Sequence, residues 1–194
     1  MLDDRITLDY GSGGQKTSEL IATLLVPSFQ NDALSRLGDG AVLPALPSQP
    51  VFSTDSFVVS PWRFPGGNVG KLAVCGTVND VCMAGGEPLY LSLAMVIEEG
   101  FAMESLREIV QSAAETAREA GVQIVTGDTK VVERGACDGI YLNTAGIGAL
   151  RAPGLSPRAI REGDSVIVSG SAGCHGAAVM MARAGLGGGA LRSD

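Results

Sequence analysis

The sequence predicts an α+β domain. Apolar runs of strand length recur at 51–59, 89–97, 122–128 and 139–150, whereas 69–84 and 103–121 carry the spacing of helices. A polar, proline-containing stretch, RAPGLSPRAIREGD, then breaks the pattern and places a boundary near 150–160. Residues 1–38 read as a glycine-rich arm and helix, 39–152 as the main domain, and 153–194 as the beginning of a second domain.

Taken in order, SGGQKTSELIATLLVPSF begins with glycines and continues as a helix with Leu20, Ile21, Leu24 and Leu25 on one side, which Pro27 is expected to end. AVLPALPSQP is a proline-punctuated connection, VFSTDSFVV a strand running through an aspartate, and SPWRFPGG a loop. The helix over 69–84 is stopped by Gly85, Gly86 and Pro88. LYLSLAMVI is an apolar strand, and 103–121 an amphipathic helix burying Leu106, Ile109, Val110, Ala113, Ala117 and Ala120, ended by Gly121. VQIVTGD reads as a strand closing on its glycine and aspartate, and GIYLNTAGIGAL as another. Beyond the boundary, SVIVSG reads as a strand and HGAAVMMARAGL as a helix, one strand–helix unit that cannot enclose a core alone.

Composition narrows the function. With 194 residues, 45% of them hydrophobic, the chain can bury one substantial core. A net charge of −7 argues against nucleic acid as a partner, because phosphate backbones call for clustered Lys and Arg. No apolar run reaches the ~20 residues that cross a membrane, and MLDDRITLDY lacks a signal-peptide pattern. Cys75, Cys82, Cys137 and Cys174 lack the close pairing of a zinc site or disulfide scaffold, so reduced thiols in the cytoplasm are expected.

Four aspartates sit in similar local surroundings, Asp39 in LGDGA, Asp55 in STDSF, Asp80 in VNDVC and Asp128 in TGDTK. Each lies beside small polar residues and next to an apolar run, where turn and cap chemistry is the plain explanation. Asp80 stands apart. Asn79 interrupts a stripe of Leu72, Cys75 and Cys82, and a carboxylate inside such a helix needs a partner, either a magnesium ion or a buried arginine. YGSGGQK (10–16) and PGGNVGK (65–71) are glycine-rich segments whose amides could meet phosphates, and Lys71 and Lys130 could each contact one. Adjacent Cys174 and His175 lack zinc-ligand spacing, and GSAGCHG has the wrong glycine spacing for a dinucleotide fingerprint.

TDS, PGGNVGKLAVCGTVNDVCMAGGEPLYLS, EEGF, AREAGVQIVTGDTKVVERG and LNTAGIG together resemble the HypE family, the carbamoyl dehydratases of nickel–iron hydrogenase maturation, within the PurM-like (aminoimidazole ribonucleotide synthetase) superfamily. The resemblance runs in order along nearly the whole chain. It implies a mixed β-sheet flanked by helices, a homodimer built on a shared β-barrel, and the start of a truncated C-terminal α/β domain. ATP and Mg²⁺ are the implied cofactors. Asp39, Asp55, Asp80 and Asp128 become metal ligands. Ser12, Gly13, Gly14, Gly70, Lys71, Asn79, Asp80, Gly127, Asp128 and Thr129 become ATP and phosphate contacts, and Lys130 the catalytic residue near the transferred phosphoryl group. The implied reaction activates a carboxamide on the protein's own C-terminal cysteine and loses phosphate to leave a thiocyanate. HypF is the implied carbamoyl donor and the HypC–HypD complex the acceptor.

Two departures bear on this. The chain ends at Asp194 without a C-terminal cysteine, and Cys174 stands where the family shows aspartate. The alternatives are a non-catalytic module that binds ATP, dimerises and docks maturation partners, and another PurM-like enzyme, such as a thiamine-phosphate kinase or selenophosphate synthetase.

Overall fold

The computed structural model describes residues 2–186 and 191–193. A 3-10 turn, Leu8–Gly11, leads into one continuous helix made of α1 (Gln15–Leu20), a π-helical turn (Ile21–Leu25) and α2 (Val26–Phe29). Pro27, expected to end this helix, lies inside it. The amide of Val26 bonds five residues back to Ile21, and the widened turn relieves the clash that a proline ring makes with the preceding turn. The helix stops instead at Gln30, which takes a left-handed conformation. A short helix, α3 (Asp32–Ser35), follows.

The domain then runs β1 (Pro50–Phe57), the two-residue strands β2 (Arg63–Phe64) and β3 (Gly67–Asn68), α4 (Val69–Met83), β4 (Gly86–Glu98), α5 (Met103–Glu119), β5 (Gln123–Val132) and β6 (Ile140–Leu150). The main sheet has the order β1-β6-β4-β5; β4 and β5 are parallel and the other pairs antiparallel. It is therefore a mixed sheet. The parallel pair needs a crossover, and α5 supplies it.

Strand alternation decides where the core lies. On β4, Leu91, Leu93, Met95 and Ile97 are buried while Ser92, Ala94 and Val96 are half-exposed. The buried row meets α4 and α5, which pack on each other and cover one face of the sheet. From α5 come Leu106, Ile109, Val110, Ala113 and Ala117, whereas Ala120 is exposed because it caps the helix end. From α4 come Val69, Gly70, Ala73, Val74, Thr77 and Val81. Gly70 allows the two helices to touch, since a Cβ there would collide with the carbonyl oxygen of Ile109. The opposite face, with Phe52, Tyr90, Val96, Tyr141 and Ile147, carries no helix among the described residues.

Three further expectations change. Gly86 and Pro88 belong to β4 rather than to a stop, with Pro88 at an irregularity in the register, where a missing N–H is tolerated. β5 does not close on Gly127 and Asp128; it continues to Val132 because β4 runs alongside and pairs it throughout. The run Ser165–Gly170 forms no strand: Val166, Ile167 and Val168 are 92%, 89% and 69% exposed. Among the described residues no neighbouring strand takes up its hydrogen bonds, and a lone strand cannot satisfy its own.

The helix expected near 175–186 is present as α6 (Cys174–Arg183), with Ala178 and Val179 buried. It packs on the β2–β3 hairpin through His175, edge-on to Phe64 at 5.2 Å, and on the loop before it through Arg183, which donates to the Ser60 carbonyl at 2.5 Å. Ser193 donates its amide to the Pro65 carbonyl at 2.8 Å. Gly187–Ala190 and Asp194 of the expected second domain lie outside the described residues.

Candidate functional site

The residues singled out in the sequence assemble in two places, at the two edges of the sheet. At the β5 edge lies the glycine turn. Tyr10 is fully buried, and its hydroxyl accepts the Asp3 amide at 3.0 Å. Lys16 pairs with Asp3 and stands 5.3 Å over the Tyr10 ring. The hydrogen bond from Lys16 lowers the Asp3 carboxyl, and the same bond raises the Lys16 ammonium. Above this anchor, Ser12 folds back on the Asp9 carbonyl, Gly13 adopts φ 78° and Gly14 caps α1. Gly11 lies against the edge of β5, where a Cβ would collide with the amide of Val131.

That contact sets the turn beside Gly127, Asp128, Thr129 and Lys130. All four line one cavity of about 220 Å³ with Gly11 and Gly13, and its remaining wall is mostly apolar, with Thr17 and Thr126 as its hydroxyls. Asp128 and Lys130 project from the helix-free face of β5, beside Ala94 and Val96, and bond to each other at 3.2 Å. Asp128 also accepts the Thr129 amide at 2.9 Å. Both side chains are about 60% exposed, so their charge is available to a ligand. Gly38 lines the same cavity, and Asp39 follows it in an exposed bend.

At the β1 edge, Asp55 accepts the amide of Ser56 at 2.7 Å, and Asp80 accepts the hydroxyl of Ser53 at 3.1 Å. Asp55 lies beside Gly76 of α4, with Asn79 and Asp80 one turn further along. Contrary to the expectation from the sequence, Asn79 and Asp80 are exposed rather than set in a buried seam. The helix buries small residues, Gly70, Ala73 and Thr77, against its neighbours; the stripe of Leu72, Cys75, Asn79 and Cys82 is its flank. Asp80 thus needs no partner to offset burial. The half-buried Cys75 thiol is pushed up chiefly by desolvation, in keeping with an inert core thiol.

The N-terminus of α4 offers less than expected. Asn68 Oδ1 accepts the amides of both Gly70 and Lys71, at 2.9 and 3.2 Å, so the helix caps itself. The Lys71 ammonium is turned back to the Gly66 carbonyl at 3.3 Å.

The four aspartates do not meet within one chain. In the register, Asp55 faces Thr144, Thr144 faces Leu93 and Leu93 faces Gly127. Asp55 and the start of the Asp128 segment are therefore three strand spacings apart, about 14 Å. Among the described residues no three His, Cys, Asp or Glu side chains come together as a metal site. Sequence reasoning passed over Ser53, the hydroxyl partner of Asp80, and the buried pair Thr77 and Thr144, whose hydroxyls meet at 2.6 Å and tie α4 to β6. Hydroxyls spaced within helices and strands leave no periodic signal; only the pairing of elements reveals them.

Residues 37–150 match the AIR synthase related protein family, N-terminal domain, and so include every candidate residue except the glycine turn. The chain belongs to this family. Carbamoyl dehydratase HypE of Rhizobium leguminosarum bv. viciae is 50% identical over 181 residues, which are 92% of this chain and 51% of that protein. The crystal structure of hydrogenase maturation protein HypE in complex with ATP superposes with a TM-score of 0.92 at 49% identity, covering 95% of this chain and 55% of that one. A HypE–HypF complex superposes with a TM-score of 0.71 at 48% identity, covering 89% and 56%. The chain spans about half the length of the curated relatives it matches. No helix among the described residues is long and apolar enough to cross a membrane.

Proposed function

We propose that this chain is the nucleotide-binding part of a HypE-type carbamoyl dehydratase, the Mg²⁺- and ATP-dependent enzyme that dehydrates a C-terminal cysteine S-carboxamide to a thiocyanate for the cyanide ligands of nickel–iron hydrogenase. The observation that carries the reading is the close superposition on the ATP complex of HypE, together with the β5 edge. There the glycine turn and the strand carrying a paired carboxylate and ammonium line one cavity. Exposed carboxylate oxygens suit a hard divalent cation that keeps waters and phosphate oxygens as its other ligands. Mg²⁺-bound ATP supplies the phosphoryl group that activates the carboxamide oxygen. Asp39, Asp55, Asp80 and Asp128 hold the cation, Lys130 offsets charge on the transferred group, and the main chain around Ser12–Gly14 and Gly127–Thr129 orients the phosphates.

The 14 Å gap within one chain fits a homodimer that closes the two sheets into a barrel. If β1 of one copy runs beside β5 of the other, Asp55 and Asp80 approach the partner copy's β5 edge, with its carboxylate and ammonium. The helix-free face supports this arrangement, as does the β1 edge, which pairs with no further strand among the described residues. HypF as carbamoyl donor and HypC–HypD as acceptor follow from the same reading, as does a cytoplasmic setting.

Calorimetric titration of ATP with and without Mg²⁺, on the wild type and on Asp80→Asn and Asp128→Asn, tests the site. Magnesium-dependent binding lost in both variants is the expected result. No binding by the folded wild type refutes the nucleotide reading.

A further inference from the structure

Thr17 lies one turn into α1, and its hydroxyl makes three bonds that close the glycine turn. It accepts the Gly13 amide at 3.0 Å and donates to the Tyr10 carbonyl at 2.9 Å, sharing its proton with the Asp9 carbonyl at 3.2 Å. Those partners flank Gly11 and Ser12, so one side chain bridges both ends of the turn. The Tyr10 end is itself immobilised by burial and by the Asp3 amide on its hydroxyl. Between the two ends, Gly11 rests on the backbone of β5 next to Lys130. A glycine-rich turn left to itself samples many conformations, and ordering it costs more than ordering any other residue type.

We infer that Thr17 is the positioning residue of the glycine turn, holding Gly11–Gly14 against β5 so that the turn faces Asp128 and Lys130 before any ligand arrives. This rests on the nucleotide-site reading for the identity of the ligand, but not for the clamp. Thr17 makes no hydrogen bond to Asp128 or Lys130; it lines the same cavity as they do, and its hydroxyl is spent on the backbone of the turn. Its spacing from Gly13 is the i to i+4 relation across a helix start, which a side-chain hydroxyl at that position can bridge.

The test compares Thr17→Val, which keeps the shape and removes all three bonds, with Thr17→Ser, which keeps the hydroxyl. Amide hydrogen exchange at Gly13 reads the clamp directly. Thr17→Val is expected to speed it about tenfold, as for loss of one hydrogen bond, while amides of β4 and β6 stay unchanged; Thr17→Ser restores wild-type exchange. Mg²⁺-ATP affinity is expected to fall about tenfold in Thr17→Val and to recover in Thr17→Ser, because disorder must then be removed on binding. If Thr17→Val fails to fold, Gly11→Ala replaces it: the added Cβ lifts the turn from β5 while leaving the hydroxyl in place, and the same fall in affinity is expected. Unchanged exchange in Thr17→Val overturns the clamp. Faster exchange with unaltered affinity, or tighter binding, overturns the positioning role. Protected Gly13 in a wild type that binds no ATP leaves the clamp standing and removes the nucleotide reading instead.

Discussion

The two edges of the sheet carry similar carboxylates in different settings. At β5, Asp128 is paired with Lys130, and the N-terminal arm lies against the strand edge beside them. At β1, Asp55 accepts a neighbouring amide and Asp80 a serine hydroxyl, and among the described residues neither carboxylate is paired with a cation. One edge therefore resembles a finished half-site, preorganised in charge and shape, whereas the other resembles an exposed face awaiting something. Enclosure comes from the arm, which reaches β5 and not β1.

The sharpest way to break this comparison is to neutralise each edge in turn. Asp128→Asn is expected to weaken Mg²⁺-ATP binding about 100-fold, or ~2.8 kcal/mol, by calorimetry. Asp80→Asn should do the same if both edges serve one site. Mixing the two variants then sharpens the result. With β1 of one copy against β5 of the other, each mixed dimer retains one intact site, so about a quarter of all sites regain binding. A site contained within one chain regains none.

A smaller effect tests how the β1 edge is held. Thr144 donates to the Ala73 carbonyl at 3.0 Å, so Thr77 donates to Thr144. Thr144→Val strands both groups and should lower stability by about 2 kcal/mol in urea unfolding, with little change at the glycine turn. The smallest effect concerns pH at the β5 edge. Because Lys16 holds the Asp3 carboxyl below its ordinary range, the bond stabilises fully above the unfolded value, near pH 4, and is lost as pH falls through the lower folded value. Limited proteolysis of the arm should therefore quicken below about pH 4 in the wild type and be insensitive to pH there in Asp3→Asn. An equal acid response in both would show that Asp3 does not tether the arm.

Much of the fold was legible because burial leaves a period. Leu91, Leu93, Met95 and Ile97 alternate as a half-buried strand must, and Leu106, Ile109, Val110, Ala113 and Ala117 recur as a helix must. The failures are equally physical. Pro27 misled because a π-turn accommodates the ring that a regular helix rejects. Val166–Val168 misled because a strand-like sequence still needs a neighbour to pair with. The α4 face was read one step off because glycine, alanine and threonine, not large apolar residues, make its contact surface.

The sequence by itself determined the elements, the family resemblance and the short list of carboxylates, glycines and lysines, since each is written in local spacing or in residue order. Only the tertiary structure decided which of these meet. Strand order sends Asp55 and Asp128 to opposite edges, Asn68 claims the amides of Gly70 and Lys71, and Thr17 closes the glycine turn. Such pairings depend on hydrogen bonds and register between segments far apart or turned toward one another, and no one-dimensional pattern encodes them.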